Sequence, residues 1–516
     1  MSVATRTPIR RGRDNKNATP VLPPISPGMI GGYYRPLTTP EMERIHELVL
    51  QLLADLGLSQ VTPSLEARAT AAGCKVDGNG RLRFPRALVE DMIARTRRKF
   101  TLHGIDPAHD IEIAARRVHT GTGGAAPTIM DFETGKYRES TVADLYDIAR
   151  LVDRLDNIHW YHRSVVARDT TTILDLDINT TYACLSGTTK SIAVSYTDSA
   201  SVKAVQPMLD AVAGGEGKFR ERPFCTAVCC HVVPPMRFAT ESCEALEAAV
   251  EAGMPILLVA AGQAGATAPA ALAGAVAQAC AEVLAGLILC NIIDPNCRGI
   301  FATWPFVSDL RTGAMSGGSG EQALLSAACA QMAALYDLPN SVPAGMTDSK
   351  VPDMQAGGEK GYTISLAAHA GASMIHECAG MHGSLMGTSF ESYVLDNDLL
   401  GAILRTVKGI EVSEDTVNFE VIRDVVMGEG HYLGHAQTFA RMKTDYLYPV
   451  IANRRSISEW EDAGSRDARE VARDHVSRIL AEHYPRHIPE SVDRLLRGNF
   501  NIILPRNRMV AGNGSW

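Results

Sequence analysis

A dense group of charged side chains occupies the stretch TDSKVPDMQAGGEKGY at residues 347–362. It contains Asp348, Lys350, Asp353 and Glu359, and it leads directly into the apolar run TISLAAHAGASMIHECAG. Charge runs on exposed helix faces usually lack the proline, glycine and glutamine that interrupt this one. Charges placed beside buried chain need partners, because an unpaired buried charge is costly. We therefore expect these groups to face a binding site and to pair with one another or with a ligand.

Polar and aromatic residues also stand at the ends of short apolar runs that have the composition of buried strands. A lone histidine in such a place is usually a hydrogen-bonded core residue, and a lone tryptophan such as Trp304 can simply fill the interior. In this sequence polar or aromatic residues stand at the ends of seven of the eight apolar runs. This recurrence predicts a site where the strand ends converge. These residues are His119, His159, Trp160, Tyr161, His162, Arg163, His231, Gln263, Trp304, Asp348, Lys350, His376 and Glu377.

The apolar runs alternate with longer helical segments between residues 116 and 406. Continuous apolar strands indicate burial on both faces, as in parallel sheets covered by helices. Eight strand–helix pairs over roughly 290 residues predict an α/β fold, a (β/α)₈ TIM barrel, with its functional site at the C-terminal ends of the strands. An open doubly wound sheet is the alternative, disfavoured because no GxGxxG motif follows the first strand. The strand candidates are 116–121, 158–165, 190–196, 224–233, 255–261, 299–304, 341–346 and 373–377.

Three further segments surround the predicted barrel at 116–406. Residues 1–30 are basic and proline-rich and predict a flexible arm. Residues 31–115 contain helical periodicity with start and stop signals, and they predict an N-terminal helical extension. Residues 407–516 are helical and more charged, and they predict a C-terminal helical arm and tail. We expect this arm to support a homo-oligomer.

The overall charge of the chain excludes one large class of partners. Its 516 residues carry a net charge of −8 with a pI near 6.0, whereas nucleic-acid binding needs a concentrated basic face. The eleven cysteines form no CxxC pair, so no metal site and no disulfide framework are expected. No uninterrupted apolar run of about 18 residues is present, and no apolar stretch follows the N-terminal arginines. We therefore expect a cytoplasmic protein without membrane contact.

Familiar catalytic motifs are missing from the sequence. It contains no Walker A motif, no HExxH and no GxSxG. The glycine-rich stretch GAMSGGSGEQ at 313–322 precedes a helix, so its backbone N–H groups are suited to an anion. This signal is weak, because a glycine-rich loop after a barrel strand needs no ligand.

Four stretches together resemble the trimethylamine methyltransferase family. They are GGYYRPLT (31–38), AGATAPAALAG (264–274), TDSKVPDMQAGGEKG (347–361) and GHYLGHAQTFARMKTDYLYP (430–449). The resemblance covers roughly residues 31–500 and implies a (β/α)₈ barrel that moves a methyl group from a methylated amine to the cobalt of a separate corrinoid protein. Every residue in this chain is standard, so it resembles the branch without pyrrolysine, characterised members of which use quaternary amines such as glycine betaine. No cofactor is expected to be tightly bound, because nothing resembles the D-x-H-x-x-G motif of corrinoid domains.

The resemblance also suggests roles for individual residues. A quaternary ammonium group has no N–H donor, so aromatic faces and carboxylates hold it best. The aromatic candidates are Trp304, Tyr362, Tyr161 and Phe390, and the catalytic carboxylate candidates are Asp348 and Glu377. Gln263 is a further substrate-binding candidate. Lys350, Arg163 and His231 are candidates for pairing with a substrate carboxylate.

Two alternatives remain open at this stage. The histidine and carboxylate residues are also compatible with a metal-dependent barrel lyase or hydrolase, which three protein ligands around a divalent ion would favour. A barrel that binds methylated amines without turning them over is the second alternative.

Overall fold

A computed structural model describes residues 23–516 of the chain. Most of the predicted arm at 1–30 lies outside the described residues. The described residues belong to two compact units. One comprises Pro27–Gly409 and Pro449–Trp516, and the other includes Ile410–Tyr448.

Eight parallel strands form a closed barrel in the first unit, which confirms the predicted fold. The strands are β1 (Arg117–Thr122), β2 (Tyr161–His162), β3 (Ile192–Val194), β4 (Cys225–Cys229), β5 (Ile256–Ala260), β6 (Gly299–Thr303), β7 (Asn340–Pro343) and β8 (Met374–Ala379). Each strand from β2 to β8 pairs with the next, and β8 pairs with β1. A bridge between Gly121 and Trp160 closes the ring between β1 and β2. This closure excludes the open-sheet alternative.

A long helix follows each barrel strand. The helices are α1 (Val142–Asp153), α2 (Ile173–Gly187), α3 (Ser199–Ala213), α4 (Thr240–Glu251), α5 (Leu272–Ile293), α6 (Gly320–Leu335), α7 (Met354–Ala370) and α8 (Phe390–Lys408). Six of the eight begin at a serine, threonine or aspartate whose side chain accepts a backbone N–H of the first turn. Such caps satisfy donors that a helix end otherwise leaves free.

Helix α5 is apolar on every side because it is covered on every side. It packs on β5 and β6 and beneath the N-terminal helices Thr39–Gln51, Pro63–Ala71 and Arg86–Arg95. Among the described residues it alone has the length and composition of a membrane-spanning helix, but 89% of its most apolar window is buried within the protein. A helix buried in this way is typical of a central core element.

A β-hairpin closes the N-terminal end of the barrel. Its strands, Lys99–Leu102 and Ile111–Ala114, contribute apolar side chains to one cluster with the inward-facing residues of the barrel. Arg222, just before β4, donates to Asp110, and Ser373, just before β8, donates to the carbonyl of Ala114. The hairpin therefore seals the bottom of the barrel, and the opening lies at the C-terminal mouth.

The segment 31–115 is less helical than predicted. Besides its three α-helices it contains a π-helical turn at Leu52–Leu56, a 3₁₀ turn at Pro107–His109 and the hairpin. The remaining short elements of the first unit are the strands Met29–Ile30, Lys75–Val76, Leu82–Arg83, Thr128–Met130, Tyr137–Glu139, Val232–Val233, Arg237–Phe238, Gln263–Ala264, Phe306–Val307, Met381–His382 and Gly387–Thr388, and the helix Lys218–Glu221.

The C-terminal region divides into two parts with different surroundings. Residues 449–516 include the helices Ile457–Asp462, Ala468–Glu482 and Glu490–Asn499 and the 3₁₀ turn Arg506–Met509. They pack on the barrel, where the buried Arg150 donates to the carbonyl of Leu480 at 2.5 Å and the Trp516 ring lies 5.0 Å from that of Phe390. The second compact unit holds the short helices Phe419–Met427 and Ala436–Arg441.

Candidate functional site

Four rings in mutual contact occupy the interior of the barrel toward its mouth. Trp160 immediately precedes strand β2 and His162 ends it, so the two side chains, two residues apart in extended chain, share its inward face. The His376 ring of β8 lies 4.0 Å from the Trp160 ring and 4.9 Å from the Trp304 ring, measured between centroids. The His162 ring lies 5.7 Å from that of His376. Trp304 follows β6, and its indole N–H donates to Ser341 at 3.1 Å. The barrel mouth thus has an aromatic floor.

Glycines of β1 create the space that these rings fill. A β-carbon on Gly121 would lie 2.0 Å from the Trp160 ring, and one on Gly124 would lie 2.3 Å from the His162 ring. Real β-carbons do not approach other atoms within 3.0 Å. The sequence HTGTGG at the end of β1 is therefore required for the packing of the site.

Glu377 places a lone carboxylate beside this floor. Its φ of 66° is left-handed, and the pairing of β8 with β1 is irregular between Ile375 and Ala379. Oε1 accepts the Gly124 N–H at 3.3 Å, whereas Oε2 is buried without a hydrogen-bond partner in the protein. A β-carbon on Gly123 would lie 1.8 Å from that Oε2. Burial raises the pKa of Glu377 to about 8, so the acid is mostly protonated at neutral pH until a cation stabilises its charge.

Further polar atoms at the floor lack partners within the protein. Both ring nitrogens of His162 and the Nε2 of His376 are buried and make no hydrogen bond. Burial lowers the pKa of His162 to about 3 and lowers the pKa of His376 well below its ordinary value, so both rings are neutral. Buried polar atoms normally have a partner. Together with Glu377 they indicate a site for a small molecule.

Arg163 and Cys230 lie near the ends of β2 and β4. Cys230 is exposed to solvent, and partial desolvation by its surroundings raises the pKa of its thiol. The charge of Arg163 partly offsets that increase. Burial lowers the pKa of Arg163, whose Nε has no partner, and Asp177 partly offsets the effect. Arg163 is therefore a cation near the end of β2 whose Nε–H is free to donate a further hydrogen bond.

Asp348 holds loops together and has little capacity left for a ligand. Its Oδ2 accepts the Ser316 hydroxyl at 2.8 Å, and its Oδ1 accepts the Gly317 N–H at 2.8 Å and the Ser384 hydroxyl. These partners lie in the loops after β6 and β8, while Asp348 lies after β7. Its role in this structure is to position the rim of the mouth.

Glu359 and Lys350 of the 347–362 stretch form hydrogen bonds with neutral groups of the same stretch. The Glu359 carboxylate accepts the Thr347 hydroxyl at 2.5 Å and the Asp348 N–H at 2.8 Å. Lys350 is exposed, and its Nζ donates to the carbonyl of Asp348 at 2.6 Å. Asp348, Lys350 and Glu359 thus hydrogen-bond to hydroxyl and backbone groups and not to one another's charges, and contact with a ligand stays a prediction.

Tyr161 and His231 face away from the barrel interior. The Tyr161 hydroxyl donates to the carbonyl of Leu145 in α1 at 3.3 Å. The Nε2 of His231 lies 2.9 Å from the carbonyl of Glu282 in α5, where Gly286 leaves room for the ring. Both residues thus join strands to covering helices and lie outside the aromatic floor.

Phe390, Tyr362 and Gln263 lie at other places around the barrel. Phe390 begins α8 and packs edge-on against Trp516. Tyr362 is partly exposed on α7, and its hydroxyl donates to the carbonyl of Gly318. Gln263 begins a two-residue strand after β5, and the structure brings it into no hydrogen bond with the other candidates. None of the three contributes to the aromatic floor.

Three floor residues were among the strand-end residues but not among the selected site candidates. Trp160, His162 and His376 form the aromatic floor together with Trp304, whereas Tyr161 and Phe390, which were expected at the site, lie outside it. The available signal was the period of two along β2, because Trp160 and His162 share one face and Tyr161 takes the other.

Within residues 23–516, no three histidine, cysteine, aspartate or glutamate side chains are grouped so that they could hold a metal ion. His376 packs at a tilt against the Trp160 and Trp304 rings, and His162 packs edge-on against His376.

The fold and the site define a (β/α)₈ barrel protein with a cluster of buried aromatic and acidic side chains toward its C-terminal mouth. The trimethylamine methyltransferase (MTTB) profile matches residues 6–503. Trimethylamine methyltransferase MttB of Methanosarcina barkeri is 30% identical over 452 residues, covering 86% of this chain and 90% of that protein. Glycine betaine methyltransferase of Desulfitobacterium hafniense (strain Y51) is 28% identical over 465 residues, covering 90% and 96%. This chain belongs to the trimethylamine methyltransferase family.

A solved structure is also similar to this one. The Methanosarcina barkeri monomethylamine methyltransferase MtmB aligns with a TM-score of 0.47 and 11% identity over 85% of this chain and 91% of that one.

Proposed function

We propose that this protein transfers a methyl group from a quaternary or tertiary methylated amine to the Co(I) of a corrinoid carried by a separate protein. The observation that carries the proposal is Glu377, a buried carboxylate with a free oxygen atom and no protein cation beside it. The acid is mostly protonated in the free protein, and a bound cation would stabilise its ionised form and give Oε2 a partner. A methylammonium cation has the charge that the ionised carboxylate pairs with.

The aromatic floor supports the same choice of substrate. A cation without N–H donors binds to ring faces, and each such contact contributes about 0.5–2 kcal/mol. Trp304 and Trp160 supply two indole rings, and His162 and His376 are neutral, so they do not repel the cation. The site thus combines one negative charge with apolar, polarisable walls.

The transfer step requires the protein mainly to position the substrate. The N–CH₃ bond breaks with its electron pair remaining on nitrogen, and Co(I) supplies the pair that forms the new bond to carbon. A quaternary substrate leaves as a neutral tertiary amine, so the leaving group needs no proton. The residues of this chain hold the methyl group in line with the acceptor, which is catalysis by positioning. Glu377 and Trp304 fix the cation, and the loops joined by Asp348 shape the rim where a carrier protein delivers the acceptor.

Arg163 supports a substrate that carries a carboxylate as well as the cationic nitrogen. Its unpaired Nε lies near the mouth, and a guanidinium is the group best suited to a carboxylate. We infer that a betaine-type compound suits the site better than trimethylamine itself. Arg163→Met should then weaken binding of a betaine about tenfold or more while leaving tetramethylammonium binding within about twofold, since one charge-assisted hydrogen bond contributes about 1.5–3 kcal/mol.

A two-stage experiment tests the proposed function. Thermal unfolding of the full chain is measured against glycine betaine, carnitine, proline betaine, trimethylamine and tetramethylammonium; a ligand at 100 times its Kd should add about 2.7 kcal/mol. The amine that binds is then incubated with the protein and Co(I) cobalamin, and the visible spectrum reports methyl transfer. Turnover that Glu377→Gln abolishes supports the proposal. Binding without turnover, even with corrinoid carrier proteins added, favours the non-catalytic methylamine-binding alternative, and no binding by any amine refutes the proposed pocket.

A further inference from the structure

The segment 410–448 exposes an unusual amount of apolar surface. Of the thirty-four large hydrophobic side chains that are exposed in the described part of the chain, thirteen lie in these 39 residues. Met427 is 82% exposed and Leu433 is 80% exposed, and aromatic rings such as Phe419 and Phe439 are more than half exposed. Single exposed hydrophobic residues are normal, but contiguous ones mark interaction surfaces.

This segment has almost no core of its own. Val425 is its one buried residue, and its helices, Phe419–Met427 and Ala436–Arg441, are nine and six residues long. Isolated helices shorter than about 12–15 residues are marginal in water, and most helical stability in proteins comes from packing an apolar face. Phe419, Ile422 and Val426 follow one face of the first helix at the i, i+3 and i+7 positions. The helix therefore needs a surface against which that face can pack.

The exposed area matches what a stable protein interface requires. Phe419, Phe439, Tyr446 and Tyr448 are each more than half exposed, and since an aromatic side chain buries about 150–250 Å², these four alone offer roughly 400–600 Å². One partner in a standard interface contributes about 800 Å². The nine other exposed side chains supply more than the remainder.

The character of the surface favours a permanent partner. Interfaces of obligate homodimers are apolar, like a domain core cut in half, whereas partners that associate transiently meet through surfaces about as polar as the rest of the protein. A carrier that must dock and leave at each turnover would leave this surface in water between encounters. The charges of the segment are also partly neutralised internally, since Arg441 pairs with Glu411 at 3.2 Å and with Asp415.

We propose that residues 410–448 form the contact surface between two copies of this chain. In a twofold arrangement the same surface meets itself, so every exposed ring is used twice. The proposal does not depend on the methyl-transfer reaction or on the identity of the amine.

Sedimentation of the full chain over about 0.1–10 μM tests the proposal. We expect an even multiple of the 55.5 kDa chain mass. Replacing Phe419 and Phe439 together by aspartate should raise the dimer dissociation constant at least about a hundredfold, because a buried hot-spot side chain contributes about 2 kcal/mol or more and each change occurs in both copies. The matched control, Ile173→Asp with Met354→Asp, removes exposed apolar side chains outside the segment and should leave the mass unchanged.

A cross-linking measurement keeps the test independent of variant folding. A photoreactive phenylalanine analogue at position 439 of the otherwise unchanged chain should give a product of twice the chain mass, with cross-linked peptides from 410–448. A monomeric mass at 10 μM would overturn the proposal. Cross-links confined to one chain would assign the surface to another segment of the same molecule, and cross-links formed only with an added corrinoid protein would assign it to that partner; either result contradicts the homodimer.

Discussion

Glu377 should make substrate affinity depend on pH in a defined way. With a pKa of about 8 in the free protein, the carboxylate must lose a proton before it can pair with a cation. Binding of a quaternary amine, whose own charge does not titrate, is then weakened by a factor of about 1 + 10^(8−pH). The dissociation constant should therefore rise about tenfold between pH 9 and pH 7 and about another tenfold by pH 6. At pH 7, binding should release about 0.9 proton.

The Glu377→Gln variant makes this prediction quantitative. Glutamine has the shape of the protonated acid but cannot ionise, so its affinity for the amine should not depend on pH. Removing one partner of a buried charge pair costs roughly 3–5 kcal/mol, so at pH 9 the variant should bind at least about 100-fold more weakly. At pH 6 about 1% of the wild-type carboxyl groups are ionised, so the two affinity curves should approach each other as the pH falls to 6.

The same titration should also change the stability of the free protein, but in the opposite direction. Raising the pH strengthens amine binding and weakens folding. The pKa of Glu377 rises from 4.5 to about 8 on folding, so the folded state holds a proton that the unfolded chain releases between these values. The contribution of Glu377 to stability is therefore greatest below pH 4.5 and is lost progressively as the pH rises to 8. The full difference is about 5 kcal/mol, at about 1.4 kcal/mol per unit. Glu377→Gln should remove this loss.

Isothermal calorimetry from pH 6 to pH 9 measures both quantities, and two buffers of different ionisation enthalpy report the released proton. Glu282→Gln is the matched control, because burial raises the pKa of Glu282 to about 7 but this carboxylate lies on α5, where it accepts the Met236 N–H at 2.8 Å. It should alter the pH dependence of stability and leave that of binding unchanged. Wild-type affinity that is flat from pH 6 to pH 9, or equal for wild type and Glu377→Gln at pH 9, would refute the reasoning.

Three further substitutions test the architecture of the site and its support. Gly123→Ala would place a β-carbon 1.8 Å from Oε2 of Glu377, so we expect it to displace the carboxylate and weaken amine binding about tenfold or more, measured by calorimetry. Trp304→Leu removes one cation–π contact of about 0.5–2 kcal/mol and should raise the dissociation constant roughly 2- to 30-fold. Lys360→Met leaves the buried Asp396 without its partner at 2.6 Å and should reduce the free energy of unfolding in urea by about 3–5 kcal/mol.

Each of these has a control within the chain. Gly358→Ala, in α7 with nothing near its β-carbon, should stabilise the protein by up to about 1 kcal/mol and leave binding unchanged. Trp304→Phe keeps a ring and should recover part of the affinity. Adding Asp396→Leu to Lys360→Met removes the stranded charge, and a double variant no more stable than Lys360→Met would contradict the assigned pairing.

The architecture was readable from the sequence because parallel strands in a barrel are apolar on both faces. Continuous apolar runs such as residues 255–261 and 299–304 correspond to β5 and β6. The family was readable from local motifs. The hairpin that seals the barrel was not predicted, because its strands Lys99–Leu102 and Ile111–Ala114 are only four residues long each.

The site was only partly predictable, and β8 shows why. In a regular strand His376 and Glu377 would point to opposite faces. The left-handed backbone at Glu377 and the irregular pairing beside it bring both side chains to the barrel interior. The surroundings of Asp348 could not be predicted either: its hydrogen bonds to Ser316 and Ser384 come from loops whose proximity only the fold creates, and its catalytic role stays a prediction.

Ionisation of the buried Glu377 carboxyl group is unfavourable, and this explains which amine the site should prefer. A protonated tertiary amine can pass its proton to Glu377 in a buried site, which leaves two neutral groups and abolishes their attraction. A quaternary ammonium has no proton to give, so its charge persists and holds the Glu377 carboxylate in the ionised form. The same property makes the departing tertiary amine neutral and free to leave the charged site. Tetramethylammonium should accordingly bind more tightly than trimethylammonium near pH 7, and equal affinity would mean that Glu377 does not face the nitrogen.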